Sequence, residues 1–396
     1  MDHGNLATRM AELLPAMLAD IGALVTCESP SADLAAVARS ADVVAEVGAR
    51  VLGTEPERIV LDGRTHLRWR FGAGPRRVLL LGHHDTVWPI GSLATHPYTV
   101  DGGVLRGPGC FDMKAGVVLA FYAVAEVAAN GRADGVTLLV TGDEEVGSPS
   151  SRGLIEQEAA GCRAALVLEA SADGGALKTE RKGVSLYRVR VTGRAAHAGL
   201  EPERGVNAGV ELAHQVLAVN RVGRTDRGTT VTPTVSSAGT TTNTVPAGGE
   251  FAVDVRVRDT AEQDRVDAEM RGLRPVLPGA LVEVIGGPNR PPLAADASAG
   301  LFAHAAALAD RLGLPTLRGV AVGGGSDGNF TAGIGTPTLD GLGAVGGGAH
   351  ADHEHVLIDA LPGRAALVAA LTAELAGGTE GSTSTNPATI SGAYRP

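Results

Sequence analysis

Three short apolar runs, each ending on groups that ordinarily avoid a protein interior, constrain this chain most. Val78-Leu79-Leu80-Leu81 leads into Gly82-His83-His84-Asp85-Thr86-Val87, the run 136–140 leads into Gly142-Asp143-Glu144-Glu145, and the run 164–168 stops at Glu169. Continuous apolar stretches of this length read as strands buried on both faces. Between them, 115–129 and 151–160 read as helices. Strand–helix–strand alternation predicts an α/β fold, a three-layer arrangement with a mostly parallel mixed sheet between helices. Open sheets of this kind gather ligands at the carboxyl ends of their strands, where these His, Asp and Glu residues fall.

Elsewhere the pattern divides the chain. Met10, Leu13, Leu14, Met17 and Ile21 recur at three- and four-residue steps, so the first ~55 residues read as largely helical. From about residue 183 the pattern changes to alternating apolar and polar residues, with Val184, Leu186, Tyr187, Val189 and Val191 against Arg188 and Arg190. A helix (205–219), two strands (229–239 and 250–258), a helix (261–273) and a strand (281–285) follow. This βαββαβ order is the ferredoxin-like split motif. It predicts a smaller domain, 183–292, inserted into a larger one formed by 1–182 and 293–376. The Gly/Ser/Thr-rich segment 377–396 reads as a disordered tail.

A chain of 396 residues is long enough for two such domains at ~100–200 residues each. Lys and Arg number 34 against 44 Asp and Glu, a formal charge of −10, which argues against nucleic acid or an anionic membrane as partner. Aromatics are 3 % of the chain, too few for a base-stacking platform. No apolar run approaches the ~18 residues of a membrane span. The first residues lack the basic and apolar segments of a signal peptide, so a cytoplasmic setting is expected. Cys27, Cys110 and Cys162 are too scattered for a disulfide framework and are expected as reduced thiols.

The strand ends carry the chemistry. Along an extended chain His83 and Asp85 face one way and His84 the other. A histidine with a carboxylate two residues on suits a metal ligand held in orientation by its neighbour. The Gly/Pro-rich stretch 106–116 delivers Asp112 to the start of a helix, where the plain alternative is an N-cap. Adjacent carboxylates at 144 and 145 repel unless a cation or proton lies between them. A glycine run, 346–348, precedes His350, while His353 and His355 read as exposed loop residues. Two imidazoles, an aspartate and two glutamates form the mixed N/O set that suits paired zinc or similar ions. Glu144 is left beside them, where a general base belongs. Gly341-Leu342-Gly343-Ala344-Val345-Gly346 fits a dinucleotide-binding pattern, but Gly347-Gly348-Ala349-His350 cannot start the helix that pattern requires.

Taken together and in order, His83-x-Asp85-Thr86-Val87, the Gly107 to Gly116 motif, Glu144-Glu145, Glu169 and His350 resemble the aminoacylase and glutamate carboxypeptidase family of dinuclear zinc hydrolases. The resemblance covers essentially 10–376. It implies two divalent metal ions, Zn2+ first with Co2+ or Mn2+ as alternatives, sharing Asp112. His83 and Glu169 would complete one site, and Glu145 and His350 the other. Asp85 would orient His83, Glu144 would be the base, and the Asp112–Met113 peptide would be cis. The inserted domain would be a lid and dimerisation domain, giving a homodimer. In it, His197 within Gly193-Arg194-Ala195-Ala196-His197-Ala198-Gly199 would polarise the scissile carbonyl, in dimeric members from the partner's side. Asn243, Arg256, Arg290 and Ser326 match substrate-contacting positions.

The implied activity is hydrolysis of an amide bond in a small N-acyl amino acid or at a C-terminal amino acid. An aminopeptidase or dipeptidase, or a deprotecting amidase of one pathway, would use the same chemistry. A non-catalytic binding protein on this fold predicts a missing ligand or base, and none is missing.

Overall fold

The apolar runs become the middle of a six-stranded sheet in a computed structural model, which describes residues 5–377. The expected disordered tail, from 378 onward, lies outside the described residues. The strand order is Glu57–Leu61, Arg64–Phe71, Val136–Thr141, Val78–His83, Ala164–Val167 and Thr338–Leu339. The last four strands run parallel to one another, and the first two form an antiparallel edge paired antiparallel to Val136–Thr141. Sequence pattern had not indicated that edge hairpin, because Glu57–Leu61 is half-exposed and carries no buried run.

Both faces of the sheet are covered, which is why Val78–His83 and Val136–Thr141 are buried throughout. Val78 and Leu80 point into the larger core with the helices Ala115–Ala129 and Leu361–Gly377. Leu79 and Leu81 point into the opposite core, with Leu154 and Ile155 from the helix Arg152–Ala159 and Phe330 from Gly328–Gly333. The helix Ala115–Ala129 approaches so closely that a Cβ on Gly116 would lie 2.1 Å from the Leu168 carbonyl oxygen. At the N-terminus the expected helical stretch is three helices, Leu6–Glu12, Leu14–Thr26 and Leu34–Leu52. Leu13 sits at the first break and is exposed, and Pro15 begins the helix after it.

A second, four-stranded sheet is ordered Thr230–Ala238, Gly248–Val257, Gly183–Thr192 and Leu281–Arg290, antiparallel throughout. The helices Ala208–Asn220 and Thr260–Arg271 pack on it around Val189, Val191, Phe251 and Val266. This is the ferredoxin-like order. Its last strand runs to Arg290, five residues beyond the sequence expectation, and so delivers that arginine to the larger body. The chain leaves for this sheet and returns from it side by side: Arg181 and Leu293 exchange two backbone hydrogen bonds of 2.9 and 3.0 Å.

Candidate metal centre

Each acidic or imidazole group is brought in by a strand end or a glycine turn. Val78–His83 ends at His83, whose side chain is 1 % exposed. Its Nδ1 lies 2.9 Å from the Asp85 carbonyl oxygen and 3.5 Å from Asp85 Oδ1. This fixes the ring and aims Nε2 outward, 3.5 Å from Asp112 Oδ1 and 3.6 Å from Glu169 Oε1. His84 faces the other way, as alternation requires, against Ser40 Oγ and the Thr65 carbonyl.

Asp112 arrives through a tight turn. Gly109 has φ 70, and a Cβ there would lie 2.4 Å from Thr86 Cγ2, so both the dihedral and the space call for glycine. The Asp112–Met113 peptide is cis. Asp112 does not cap the helix Ala115–Ala129, whose N-cap is Lys114. Instead its second oxygen, Oδ2, lies 3.3 Å from His350 Nε2. His350 Nε2 is also 3.2 Å from Glu145 Oε2. His350 holds a left-handed backbone, φ 62, which is costly for a residue with a Cβ. His353 is exposed as expected; His355 instead lies half-buried in the short strand His355–Leu357, held by pairing with Val104–Arg106.

The result is two clusters, His83–Asp112–Glu169 and Asp112–Glu145–His350, with Asp112 common to both and all ligand atoms within 4.8 Å in each. Two orphaned atoms show what the arrangement lacks. His83 Nε2 and Glu145 Oε1 are buried without hydrogen-bond partners. Burial opposes protonation of His83, yet the carboxylates of Asp112, Asp85 and Glu169 outweigh it and hold its pKa well above the ordinary value. The site therefore demands positive charge among its carboxylates, and mixed N/O donors converging around buried orphan atoms fit divalent metal ions.

Around these donors lies a shell of fixed hydrogen-bonding partners. Asp85, fully buried, accepts from Ser31 Oγ at 2.6 Å and from the backbone N–H groups of Glu144 and Glu145 at 3.2 Å each. It thus holds the Glu144-Glu145 turn as well as His83. Three residues of this shell escaped sequence reasoning. Glu354 accepts from the N–H groups of Gly109, Phe111 and Asp112 at 2.9, 2.9 and 3.0 Å and from Trp88 Nε1 at 2.7 Å, and so fixes the Asp112 turn. Arg181 is bound to Asp340 at 2.6 and 3.2 Å and lies 3.8 Å from Glu169 Oε2. Asp143 caps the following loop through Ser150 and Ser151. A carboxylate next to the Glu-Glu pair was the only signal among these that the sequence offered.

Glu144 is buried beside the centre, and burial raises its pKa well above the ordinary carboxylate value. Its Oε1 accepts from Arg290 Nη2 at 2.8 Å. Arg290 is itself 7 % exposed. It also meets Asp327 Oδ1 and Ser148 Oγ, both at 3.1 Å, and the Ser326 carbonyl at 3.1 Å. Ser326 is fully buried, and its hydroxyl donates to Asp340 at 2.6 Å. Three further residues lie away from this group. His197 is exposed on the loop after Gly183–Thr192, its Nδ1 accepting from Gly199 N–H at 3.2 Å. The carbonyl of Asn243 accepts from Ala198 N–H at 2.9 Å, which sets it beside His197. Arg256 forms a 2.8 Å bidentate pair with Asp254 on its own strand.

Comparison with known proteins agrees with this geometry. Residues 79–374 match the family described as Peptidase family M20/M25/M40. The chain is 34 % identical over 317 residues to carboxypeptidase G2 of Pseudomonas sp. (strain RS-16), covering 78 % of this chain and 76 % of that protein. It is 29 % identical over 230 residues to a succinyl-diaminopimelate desuccinylase of Afipia carboxidovorans, covering 52 % and 59 %. Among solved structures, an M20 family metallo-carboxypeptidase from Sulfolobus solfataricus matches with TM-score 0.70 at 16 % identity, over 92 % of this chain and 99 % of that one. A tripeptidase from Staphylococcus aureus matches with TM-score 0.69 at 21 % identity, over 92 % and 98 %. With the fold, the ordered motifs and the paired clusters in agreement, the chain belongs to the M20/M25/M40 family of peptidases and is a metal-dependent hydrolase.

Proposed function

We propose that this enzyme hydrolyses the amide bond of a small N-acyl amino acid, or the bond before the C-terminal amino acid of a short peptide. The observation that carries the reading is Asp112 turning one oxygen to each histidine, with Glu144 buried alongside. His83 and Glu169 would hold one divalent ion, Glu145 and His350 a second, and Asp112 both; zinc suits the donor set. Such ions, when bound, supply Lewis acidity and make a water acidic near neutral pH. Glu144 takes a proton from the water that attacks the carbonyl carbon and passes it to the amine nitrogen as the C–N bond breaks. Its raised pKa suits a group that must carry a proton between two steps. Arg290 steadies the same carboxylate through Oε1, with Nη1 left to meet a substrate carboxylate.

His197 donates to the carbonyl oxygen as negative charge develops there, with Asn243 beside it. Since His197 stands exposed on the smaller sheet's loop, it reaches the centre when that module closes, or from the partner in a homodimer built through these modules. Arg256 braces the module through Asp254 in this reading. The enzyme is taken as cytoplasmic, with no membrane or nucleic-acid partner; no helix among the described residues is long and apolar enough to cross a membrane. Similarity to carboxypeptidase G2 supports a substrate with a free carboxylate. The test is a hydrolysis screen of the metal-reconstituted enzyme on N-acyl-glutamate, -aspartate and neutral amino acids beside dipeptides with free amines. Faster turnover of the N-acyl acids is expected. A requirement for the free amine, with turnover lost when the same dipeptides are N-acylated, would overturn the reading in favour of an aminopeptidase or dipeptidase.

A further inference from the structure

On the far side of the loops that carry Glu169 and His350, the helix Leu361–Gly377 holds an arginine that has no acidic partner among the described residues. Arg364 lies in the first turn and is 6 % exposed. Its Nη2 donates to the Gly175 carbonyl, and its Nη1 is buried with no partner. Burial alone acts on the group and pulls its pKa down to about 10. The other two deeply buried arginines among the described residues show the contrast. Arg181 is paired with Asp340, and Arg290 with Glu144 and Asp327. A buried cation without a counter-charge is costly, and the positive end of a helix dipole adds to that cost. Both terms reverse if an anion sits there.

Space for one exists. Arg364 lines a cavity of about 230 Å³ at the start of this helix, whose walls include Leu314, Leu317, Val345 and Leu367. The acid on its lining, Asp359, is exposed, so it does not neutralise the buried guanidinium. A single fork of donors at one end and hydrocarbon along the walls match an anion with an apolar tail better than a phosphate, which needs polar contacts on every side.

We propose that this cavity is a binding site for a small aliphatic monocarboxylate, its carboxylate at the Arg364 guanidinium, whose Nη2 lies beside the lining residue Gly175, and its hydrocarbon tail against Leu314, Leu317, Val345 and Leu367. The occupant would also touch both loops behind the centre. Gly174 and Gly175 follow Glu169 closely, and Val345 adjoins the strand Gly346–Gly347 that leads to His350. The two loops are already tied by Ser171 N–H donating to the Ala344 carbonyl at 2.9 Å.

Calorimetric titration of the metal-loaded full chain with hexanoate, and separately with hexanamide and inorganic phosphate, tests this. Saturable one-to-one binding of hexanoate is expected, with the uncharged amide and phosphate both weaker. Arg364→Met should weaken hexanoate binding by roughly 10-fold or more, the worth of a charge-assisted hydrogen bond. Gly363→Leu provides a second arm should the first variant unfold. Leucine is the better helix former, and its side chain would enter the cavity beside Leu314, whose Cδ2 lies 3.0 Å from the added Cβ. It should abolish hexanoate binding while the thermal transition is kept. No binding by the wild type, tighter binding of phosphate than of hexanoate, or affinity unchanged in a folded variant would each overturn the assignment.

Discussion

Arg290 Nη2 lies 2.8 Å from Glu144 Oε1, so the carboxylate proposed as the base is held by a guanidinium that arrives on the last strand of the smaller sheet. Removing the cation strands two buried acids, Glu144 and Asp327, at once. Breaking a buried pair from one side costs roughly 3–5 kcal/mol. Arg290→Met is therefore expected to lower the thermal midpoint strongly, as followed by calorimetry. A midpoint within a degree of the wild type would show that the pair contributes nothing.

Glu144→Gln keeps the shape and removes the proton acceptor. Metal content, measured by elemental analysis, should match the wild type because Glu144 is in neither ligand cluster. Turnover should fall by roughly 10²–10⁴. Comparable turnover would remove Glu144 from the role of base.

Glu354→Gln presents an amide to N–H groups that now meet a carboxylate oxygen. With Gly109, Phe111, Asp112 and Trp88 as its donors, the whole Asp112 turn should loosen. Metal affinity, read by chelator competition, should drop roughly 10- to 100-fold, the usual effect of losing a group that orients ligands. Trp88 emission should shift with it. Unaltered affinity would make Glu354 a purely structural residue.

His197→Ala should lower kcat with metal stoichiometry unchanged, since the exposed His197 contacts neither ligand cluster. Mixing this variant with an inactive Glu144→Gln protein provides a second readout. Recovery of activity on mixing is the outcome expected if the histidine acts across a dimer. Wild-type kcat in His197→Ala alone would exclude the residue from the reaction.

Glu262 sits in the smaller module with Arg265 at 2.7 Å and Thr229 Oγ1 at 2.8 Å. Hydrogen bonding to Arg265 is the chief cause that pulls its pKa down to about 2. A depressed folded-state pKa means that the unfolded chain binds the proton first. The stabilisation is therefore present above the unfolded value near 4.5 and is lost as pH falls towards 2. Against Glu262→Gln, the wild-type advantage in thermal midpoint should shrink over that window. A difference independent of pH would disprove the linkage.

Much of the candidate centre was legible in sequence because the groups it gathers close runs that only a buried strand explains. His83, Glu145 and Glu169 each follow such a run, and Asp112 follows glycines that no regular element would use. What could not be read were partners that meet only after folding. Glu354 lies 242 positions from Asp112, Arg181 lies 159 from Asp340, and Arg290 lies 146 from Glu144. Local period and turn chemistry say nothing about such pairs. The edge hairpin escaped for a related reason. Arg64–Phe71 mixes buried Thr65, His66, Leu67 and Trp69 with exposed arginine, so its apolar signal is diluted.

The paired exchange between Arg181 and Leu293 has an architectural consequence. Because the two crossings are already neighbours, a short turn could close the larger body's chain without moving either strand. Excision of the intervening residues would, however, also remove Arg290, so a larger body closed this way has to supply another partner for Glu144 and Asp327. A chain joined this way can vary what lies between the two crossings while both ends stay fixed, provided that Arg290 still reaches Glu144.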